Sequence, residues 1–269
     1  MEIKDRIQNG VTYLAADGLE AAGGVVHGFS TRLGGVSTGI YASMDLGTTR
    51  GDDSEHVREN YRRFLAAIGA APDRIAMSNQ VHSDVVRPVT VSDIKKDLYD
   101  QEPYEADGLV TDIPGVALVI FSADCLPVPL YDPARHVAAA AHAGWRGTAS
   151  GIVERAVEKM AFYGSRPEDI LAAIGPGISK CCFETHEDVP NAMTAALGVR
   201  ATPFITPIQH GKFLVDLKGI NAMRLERAGL APEHIAVSGD CTACQPDKYW
   251  SHRVTQGVRG SQAAVIQLL

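Results

Sequence analysis

The sequence predicts an α+β fold in which a single domain over residues 1–269 packs mixed β-sheets against helices. Hydrophobic residues make up 45% of the chain and charged residues 21%, which is enough apolar material for one large core. Strand and helix patterns alternate irregularly, with several strands close together, and this disfavours a doubly wound parallel sheet. No repeat of roughly 20–50 residues and no low-complexity linker divides the chain.

The first clear elements are one amphipathic helix and two buried strands. Apolar residues recur at helical spacing over residues 54–68, which predicts a helix with Ser54 as N-cap and Gly69 as its stop. The continuous apolar run at 116–121 follows a Pro-Gly turn and predicts a strand buried on both faces. A second such strand is predicted at 136–141.

The second half of the chain continues the alternation. A helix with Thr148 as N-cap and Gly164 as its stop follows the second buried strand. Further strands and helices are predicted from the same patterns. These are strands at 170–174, 213–217 and 235–238, and helices at 188–197 and 220–228.

Charge and cysteine content restrict the class of protein. The formal net charge is −7 and no basic run interrupts it, so neither nucleic acid nor an anionic membrane is an expected partner. The first residues lack the apolar core of a signal peptide, and no stretch reaches the roughly 18 apolar residues of a membrane span. Five cysteines without disulfide-framework spacing fit a reducing compartment. We expect a cytoplasmic protein that is a monomer or a weak dimer.

Three side chains suited to metal binding or nucleophilic catalysis stand at strand ends. Cys125 follows the strand at 116–121, His142 ends the strand at 136–141, and His82 lies in a third extended segment. Each residue alone is more often a core side chain, but strand ends commonly meet at one cleft. Two histidines and a cysteine match a three-ligand zinc site with an open fourth position. The same trio also suits a thiolate nucleophile with a histidine base, and the residues do not separate these alternatives.

Other motifs are weaker. The turn at 143–148 joins a strand to a helix, so its amides and Arg146 suit an anion, phosphate first, although a tight turn with a solvated arginine fits equally. The Gly-x-Ser-x-Gly match at 35–39 lies in a glycine-rich loop without a preceding buried strand. Cys241 and Cys244 form one Cys-x-x-Cys pair without a second pair at zinc-ribbon spacing, which is weak support for a structural zinc site.

Seven segments occur in an order that resembles one family. They are His27-Gly-Phe-Ser-Thr-Arg32, Gln80-Val-His82, Ala106-Asp107-Gly108, Ser122-Ala-Asp-Cys125, Ala141-His142-Ala-Gly-Trp-Arg146, Ile174-Gly-Pro-Gly with Cys182-Phe-Glu184, and Gly239-Asp-Cys241-Thr-Ala-Cys244. Together they resemble the YfiH/DUF152 family, the bacterial relatives of the vertebrate laccase-domain protein, variously called polyphenol oxidase and purine nucleoside phosphorylase. The resemblance covers nearly the whole chain.

The resemblance implies a mixed-sheet fold shared with a toxin deamidase, and a zinc site at His82, Cys125 and His142. It implies phosphorolysis of adenosine, inosine and methylthioadenosine to a free base and a pentose 1-phosphate, with an adenosine deaminase side activity. The expected partners are therefore a small nucleoside and phosphate. Zinc is the expected cofactor, and copper at this Cys/His₂ site would be adventitious.

Roles for charged residues follow from the same resemblance. Phosphate and substrate binding is expected from four basic residues: Arg146, Arg32, Lys180 and Arg253. Asp124, which is expected to be catalytic, or Glu184 would move a proton. The chain departs from the family at Ser261, where a second C-terminal arginine is usual, so the role of that position is open.

Three other functions compete with phosphorolysis. A cysteine hydrolase or amidase that edits a peptidoglycan precursor would use Cys125 with His142 as its base. A true multicopper laccase is excluded, because such enzymes need repeated His-x-His pairs and none of the nine histidines is so paired. A non-enzymatic metal-binding module would have a closed, four-ligand site.

Overall fold

The computed structural model describes residues 1–102 and 104–269. Its strands, in chain order, are β1 (Ile3–Gln8), β2 (Val11–Ala16), β3 (Val25–Ser30), β4 (Ile75–Ala76), β5 (Val86–Pro88), β6 (Gly108–Thr111), β7 (Ala117–Ser122), β8 (Leu126–Asp132), β9 (Val137–Ala143), β10 (Leu171–Ile174), β11 (Glu184–Thr185), β12 (Ile205–Pro207), β13 (Phe213–Val215), β14 (Ile235–Val237) and β15 (Gln262–Leu268). The helices are α1 (Asp17–Ala22), α2 (Ser54–Ile68), α3 (Trp145–Ser150), α4 (Ile152–Ala161), α5 (Asp188–Leu197), α6 (Leu217–Arg227) and α7 (His252–Thr255). The predicted α+β class is confirmed.

The strands form three sheets. One six-stranded sheet has the order β1-β2-β3-β15-β7-β4, the other has the order β14-β10-β8-β9-β6-β5, and a small sheet has the order β11-β13-β12. The pairs β4–β7, β10–β14 and β5–β6 are parallel, and the other pairs are antiparallel. Both large sheets are therefore mixed, as predicted.

Strand β9 lies between two parts of the core. Because side chains alternate along a strand, Ala138 and Ala140 face the first sheet and pack in one cluster with Ile266 of β15. Ala139 and Ala141 belong to a second cluster that includes the buried face of α4. Small side chains on both faces allow a sheet on one side and a helix on the other to approach this strand closely.

Helix α2 has the predicted bounds, but a different residue caps its N-terminus. Gly69 ends it in the left-handed region, with φ of 78°. The predicted N-cap is wrong by one residue, because the Asp53 side chain accepts a hydrogen bond from the Glu55 amide and takes the capping position. Ser54 is the first residue inside the helix.

The helix after β9 starts earlier than predicted. Thr148 is not an N-cap, since α3 begins directly after Gly144 and buries Thr148 in its middle. Gly151, with φ of 87°, separates α3 from α4. The second helix ends at Ala161, three residues before the predicted stop at Gly164.

Most of the remaining predictions hold within two residues, with one exception near β13. The strands at 116–121, 136–141, 170–174 and 235–238 correspond to β7, β9, β10 and β14, and α5 has its predicted bounds. The strand at 213–217 is too long, because the Asp216 side chain accepts from the Gly219 amide and starts α6 at Leu217. Consequently α6 begins three residues before its predicted start.

Strands β1–β6, β8, β11, β12 and β15 have no counterpart among the predicted elements. Strand β8 contains Pro127 and Pro129, which argue against a central strand because proline lacks an N–H group. The two prolines are two residues apart, so both nitrogens face the same side, and the antiparallel ladder to β9 continues through them.

In the described residues, no helix has both the length and the apolar character needed to cross a membrane.

Candidate metal centre

Cys125 is presented by the tight turn between β7 and β8. The preceding residue, Asp124, has φ of 86°, an uncommon conformation for a residue with a side chain. Its carboxylate accepts hydrogen bonds from the Thr242 hydroxyl, at 2.6 Å, and from the Arg253 backbone N–H, at 2.7 Å. Its carbonyl oxygen accepts from the Ile178 amide at 2.8 Å. These three contacts hold the turn and therefore the position of Cys125.

His82 reaches the same place from a loop, and not from an extended segment as predicted. Its φ of 63° lies in the left-handed region. The loop is wrapped around the buried carboxylate of Asp107, which accepts the backbone N–H groups of Val81, His82 and Ser83 at 3.1, 3.0 and 2.6 Å. The backbone of the loop is thus fixed by one acidic side chain.

His142 is the last residue but one of β9, and only 4% of it is exposed. Its Nδ1 atom lies 2.8 Å from the Asp107 carboxylate. This pairing leaves Nε2 as the nitrogen available to a ligand, an arrangement typical of metal-bound histidines. Asp107 therefore orients both histidines, yet our sequence predictions gave it no role beyond its place in the Ala-Asp-Gly motif.

The three predicted ligand side chains converge. One ligand atom from each of His82, Cys125 and His142 lies within 4.8 Å of the others, and the Cys125 Sγ to His82 Nε2 distance is 3.8 Å. A tetrahedral zinc ion with its usual bond lengths would hold such atoms roughly 3.3–3.8 Å apart. A Cβ atom at Gly144 would lie 2.8 Å from the His82 ring and 3.1 Å from the Cys125 sulfur, so only glycine leaves room for this cluster. The donor set and its spacing therefore fit a metal ion.

The pKa shifts describe a thiolate beside an imidazolium, and a metal ion bound here would take the place of the proton on His142 Nε2. Burial raises the pKa of the Cys125 thiol, but the charge of His142 and hydrogen bonds to both histidines outweigh burial and lower the pKa to about 6. Burial lowers the pKa of His142, but Cys125 and Asp107 raise it to about 9. Against the effect of burial, hydrogen bonds from His142 and Ser83 lower the pKa of Asp107 to about 2. A thiolate is thus stabilised at neutral pH.

The three side chains open into a cavity of about 500 Å³ that also contains arginines. Arg259, only 8% exposed, donates to the Gly260 carbonyl and to Ser261 Oγ, and Arg50 Nε lies 3.4 Å from the same hydroxyl. The buried Nε of Arg259 has no partner within the described residues, and neither arginine forms an ion pair there. Burial and the charge of Arg50 lower the pKa of Arg259 to about 10. The two arginines have no direct ion pair in the described residues, although the charges of Asp124 and Asp45 act on Arg259, and this wall suits an anion.

Some of the predicted substrate-binding residues line this cavity and others do not. Asp124 and Arg253 line it. Arg146 stacks on Trp145 outside the lining, 4.2 Å from the ring centroid. Lys180 is also outside the lining.

Arg32 and Glu184 are engaged elsewhere. The Arg32 guanidinium donates to the carbonyls of Ala42 and Pro246. Glu184 pairs with Lys212 at 2.5 Å. Neither side chain lines the cavity.

Sequence patterns missed the two arginines that do face the cavity beside Ser261. Arg50 and Ser261 are 211 positions apart, so no local spacing connects them. The one available signal is that Arg259 stands two residues before Ser261, where the family usually has arginine.

The fold and this site define an α+β protein with a candidate Cys/His₂ metal centre, and comparisons with known proteins agree. A family model described as multi-copper polyphenol oxidoreductase laccase matches residues 26–269. A purine nucleoside phosphorylase of Deinococcus radiodurans is 42% identical over 247 residues, which cover 91% of this chain and 89% of that protein. Purine nucleoside phosphorylase YfiH of Escherichia coli is 36% identical over 250 residues, covering 91% and 95%.

The comparison with solved structures gives the same result. The crystal structure of the hypothetical protein YfiH of Bacillus licheniformis matches with a TM-score of 0.92 and 31% identity, covering 98% of this chain and 99% of that one. The chain therefore belongs to the laccase-type YfiH/DUF152 family, as its seven segments predicted.

Proposed function

We propose that the chain is a zinc-dependent purine nucleoside phosphorylase that uses phosphate to cleave adenosine, inosine and methylthioadenosine, with an adenosine deaminase side activity. The observation that carries the proposal is the position of Arg50 and Arg259, neither of them in a direct ion pair in the described residues, in the same cavity as the Cys/His₂ cluster. The names of the relatives at 42% and 36% identity support the same reaction.

In this proposal the arginine wall binds phosphate. Guanidinium groups bind phosphate oxygens in a bidentate manner, and Arg50 and Arg259 both line the cavity. Arg253, which also lines the cavity, adds a third cation. A hydroxyl at Ser261 leaves space that a family arginine would fill, and Arg50 and Arg259 supply the charge in its place.

The nucleoside would occupy the other half of the cavity. Phe121 and Phe183 provide apolar rings for a purine. His82, Cys125 and His142 would hold zinc, which when bound supplies a Lewis acid that polarises or orients the nucleoside. Phosphorolysis joins a phosphate oxygen to C1′ of the pentose as the bond from C1′ to the base breaks, and a proton goes to the base.

Two acidic residues were predicted to move that proton, and their positions differ. Asp124 lines the cavity and each of its carboxylate oxygens accepts one hydrogen bond, so a lone pair remains on each and the role stays a prediction. Glu184 is paired with Lys212 outside the cavity lining. Asp107 holds the proton of His142 Nδ1 and thereby keeps Nε2 directed at the cluster.

The test measures phosphorolysis of adenosine with and without phosphate, with adenine, inosine and ribose 1-phosphate separated by chromatography. We expect adenine and ribose 1-phosphate only when phosphate is present. Arg259→Gln should raise the KM for phosphate by about 10-fold or more, since a charge-assisted contact of roughly 1.5–3 kcal/mol is lost. The KM for adenosine should change little.

Arg62→Gln is the matched control, because Arg62 is an exposed arginine on α2. It should leave both KM values unchanged. Equal release of adenine without phosphate, or an unchanged phosphate KM in Arg259→Gln, would contradict the proposal.

A second candidate is a cysteine hydrolase or amidase acting on a peptidoglycan precursor. The observation in its favour is the series Asp107, His142 and Cys125, in which an acid orients a histidine beside a thiol with a lowered pKa. Such an enzyme would cleave amide substrates in the presence of a chelator and would be inactivated by iodoacetamide. The phosphorylase should instead lose its activity when a chelator removes the zinc.

A further inference from the structure

Four of the five cysteines form a second cluster, separate from the Cys125 centre. Cys181 and Cys182 lie in the loop between β10 and β11, and Cys241 and Cys244 lie in the loop after β14. The four sulfur atoms all lie within 4.8 Å of one another. The Cys-x-x-Cys pair, which lacks a partner pair at the expected sequence spacing, therefore meets two adjacent cysteines about 60 positions earlier in the chain.

The spacing of the sulfurs suits a tetrahedral metal ion. The Cys182 to Cys244, Cys181 to Cys244 and Cys181 to Cys182 distances between Sγ atoms are 3.3, 3.6 and 3.8 Å. Four thiolates around zinc, with bonds of about 2.3 Å, stand roughly 3.8 Å apart. A disulfide would require a sulfur separation of about 2.05 Å, whereas all four cysteines are free and the three distances are far longer.

The surroundings suit a negatively charged complex. The Ser179 amide donates to Cys241 Sγ at 3.3 Å. The buried ammonium of Lys218 donates to the Ser179 hydroxyl and to the carbonyls of Ser238 and Asp240, at 2.9, 2.9 and 2.5 Å. These acceptors are neutral, and Lys218 forms no ion pair in the described ranges 1–102 and 104–269. The charges of Asp240 and Asp216 act on this cation from a distance, and four thiolates on a dication would add negative charge beside it.

We propose that Cys181, Cys182, Cys241 and Cys244 bind a second zinc ion in a closed, four-thiolate structural site. Four cysteine ligands are typical of a structural zinc site, because they leave no position open for water or substrate. The site would add a covalent link between two loops that already meet at the bridge between Gly177 and Cys241 and through Lys218, which donates to both. The proposal does not depend on the reaction at Cys125.

The first experiment counts zinc per chain by mass spectrometry of the purified full-length protein. Wild type should contain about two zinc ions, and both the Cys182→Ser/Cys244→Ser and the His82→Ala/Cys125→Ala variants should contain about one. Asp247→Asn, an exposed change on the same loop, is the control and should keep both. Full zinc retention in Cys182→Ser/Cys244→Ser would overturn the proposal.

A second measurement avoids the risk that the double cysteine variant does not fold. Cobalt is loaded into the His82→Ala/Cys125→Ala protein, which keeps all four cysteines of the second cluster. We expect the visible bands of tetrahedral cobalt and an intense thiolate-to-cobalt charge-transfer band. In wild type, zinc should protect the exposed Cys181 and Cys244 from iodoacetamide until a chelator removes it. Absence of the cobalt bands, or an intact mass showing a disulfide in the freshly purified protein, would contradict the proposal.

Discussion

At the scale of single residues, one carboxylate organises the metal centre. Asp107 is fully buried, receives three successive backbone N–H groups of the His82 loop, and fixes the ring of His142. Each of these hydrogen bonds stabilises the ionised carboxylate and offsets the cost of burying its charge. The same hydrogen bonds orient both histidines. The predicted ligands were found because their residue types are distinctive. Asp107 was missed because an aspartate next to a glycine is typical of a turn.

Gly144 offers a steric test of the Cys/His₂ cluster. Its φ of −68° is accessible to any residue, so Gly144→Ala should fold, while the new methyl group must displace the His82 ring and the Cys125 sulfur. We expect the zinc affinity to fall by about 10-fold or more, comparable to the loss of a supporting contact around a metal. Competition with a chromogenic chelator measures it in the Cys182→Ser/Cys244→Ser background, which lacks the second proposed zinc site.

Gly239→Ala is the matched control, because a Cβ there would meet no atom within 4 Å. If Gly144→Ala bound zinc as tightly as Gly239→Ala, the cluster would not be the metal site.

At the scale of secondary-structure elements, the sequence patterns fail to predict features that depend on contacts between distant parts of the chain. Strands β7 and β9 were predicted because both of their faces are buried and read as continuous apolar runs. Strand β1 was not, since most of its side chains are exposed at the edge of its sheet and impose no alternation. The roles of Arg50 and Arg259 in the cavity could not be predicted either, because they depend on contacts between distant residues. Arg50 meets Ser261 only after the chain has folded.

The start of α2 gives a prediction about stability. Asp53→Ala should lower the free energy of unfolding by about 1 kcal/mol, because the Glu55 amide loses its side-chain acceptor. Ser54→Ala should change it by less than about 0.5 kcal/mol, as is usual for exposed positions without a special contact. Urea unfolding followed by circular dichroism compares the two variants. If Ser54→Ala lost more stability than Asp53→Ala, Ser54 would be the cap.

At the scale of the whole molecule, one buried histidine links stability to pH. His27 in β3 accepts a hydrogen bond from the Ala16 amide through Nε2, and burial lowers its pKa from 6.5 to about 4. The unfolded chain therefore binds a proton at higher pH than the folded protein does. Stability from this residue is complete above about pH 6.5 and is lost as the pH falls toward 4, by up to about 3 kcal/mol.

The comparison is made with His27→Gln, whose amide oxygen can still accept from Ala16. We expect the variant to lose less stability than wild type between pH 7 and pH 4, as measured by denaturant unfolding at each pH. His186→Gln, at an exposed histidine, should follow the wild-type curve. Parallel curves for wild type and His27→Gln would refute this assignment.

The position of β15 has a consequence for how the protein is made. This strand follows every other element in the chain, yet it lies between β3 and β7 near the middle of its sheet. While the ribosome is still translating, β3 and β7 each present an unpaired edge, and the wall that holds Arg259 and Ser261 does not yet exist. The nascent chain therefore cannot complete this sheet before β15 emerges, and until then the edges of β3 and β7 must be kept from pairing with other chains.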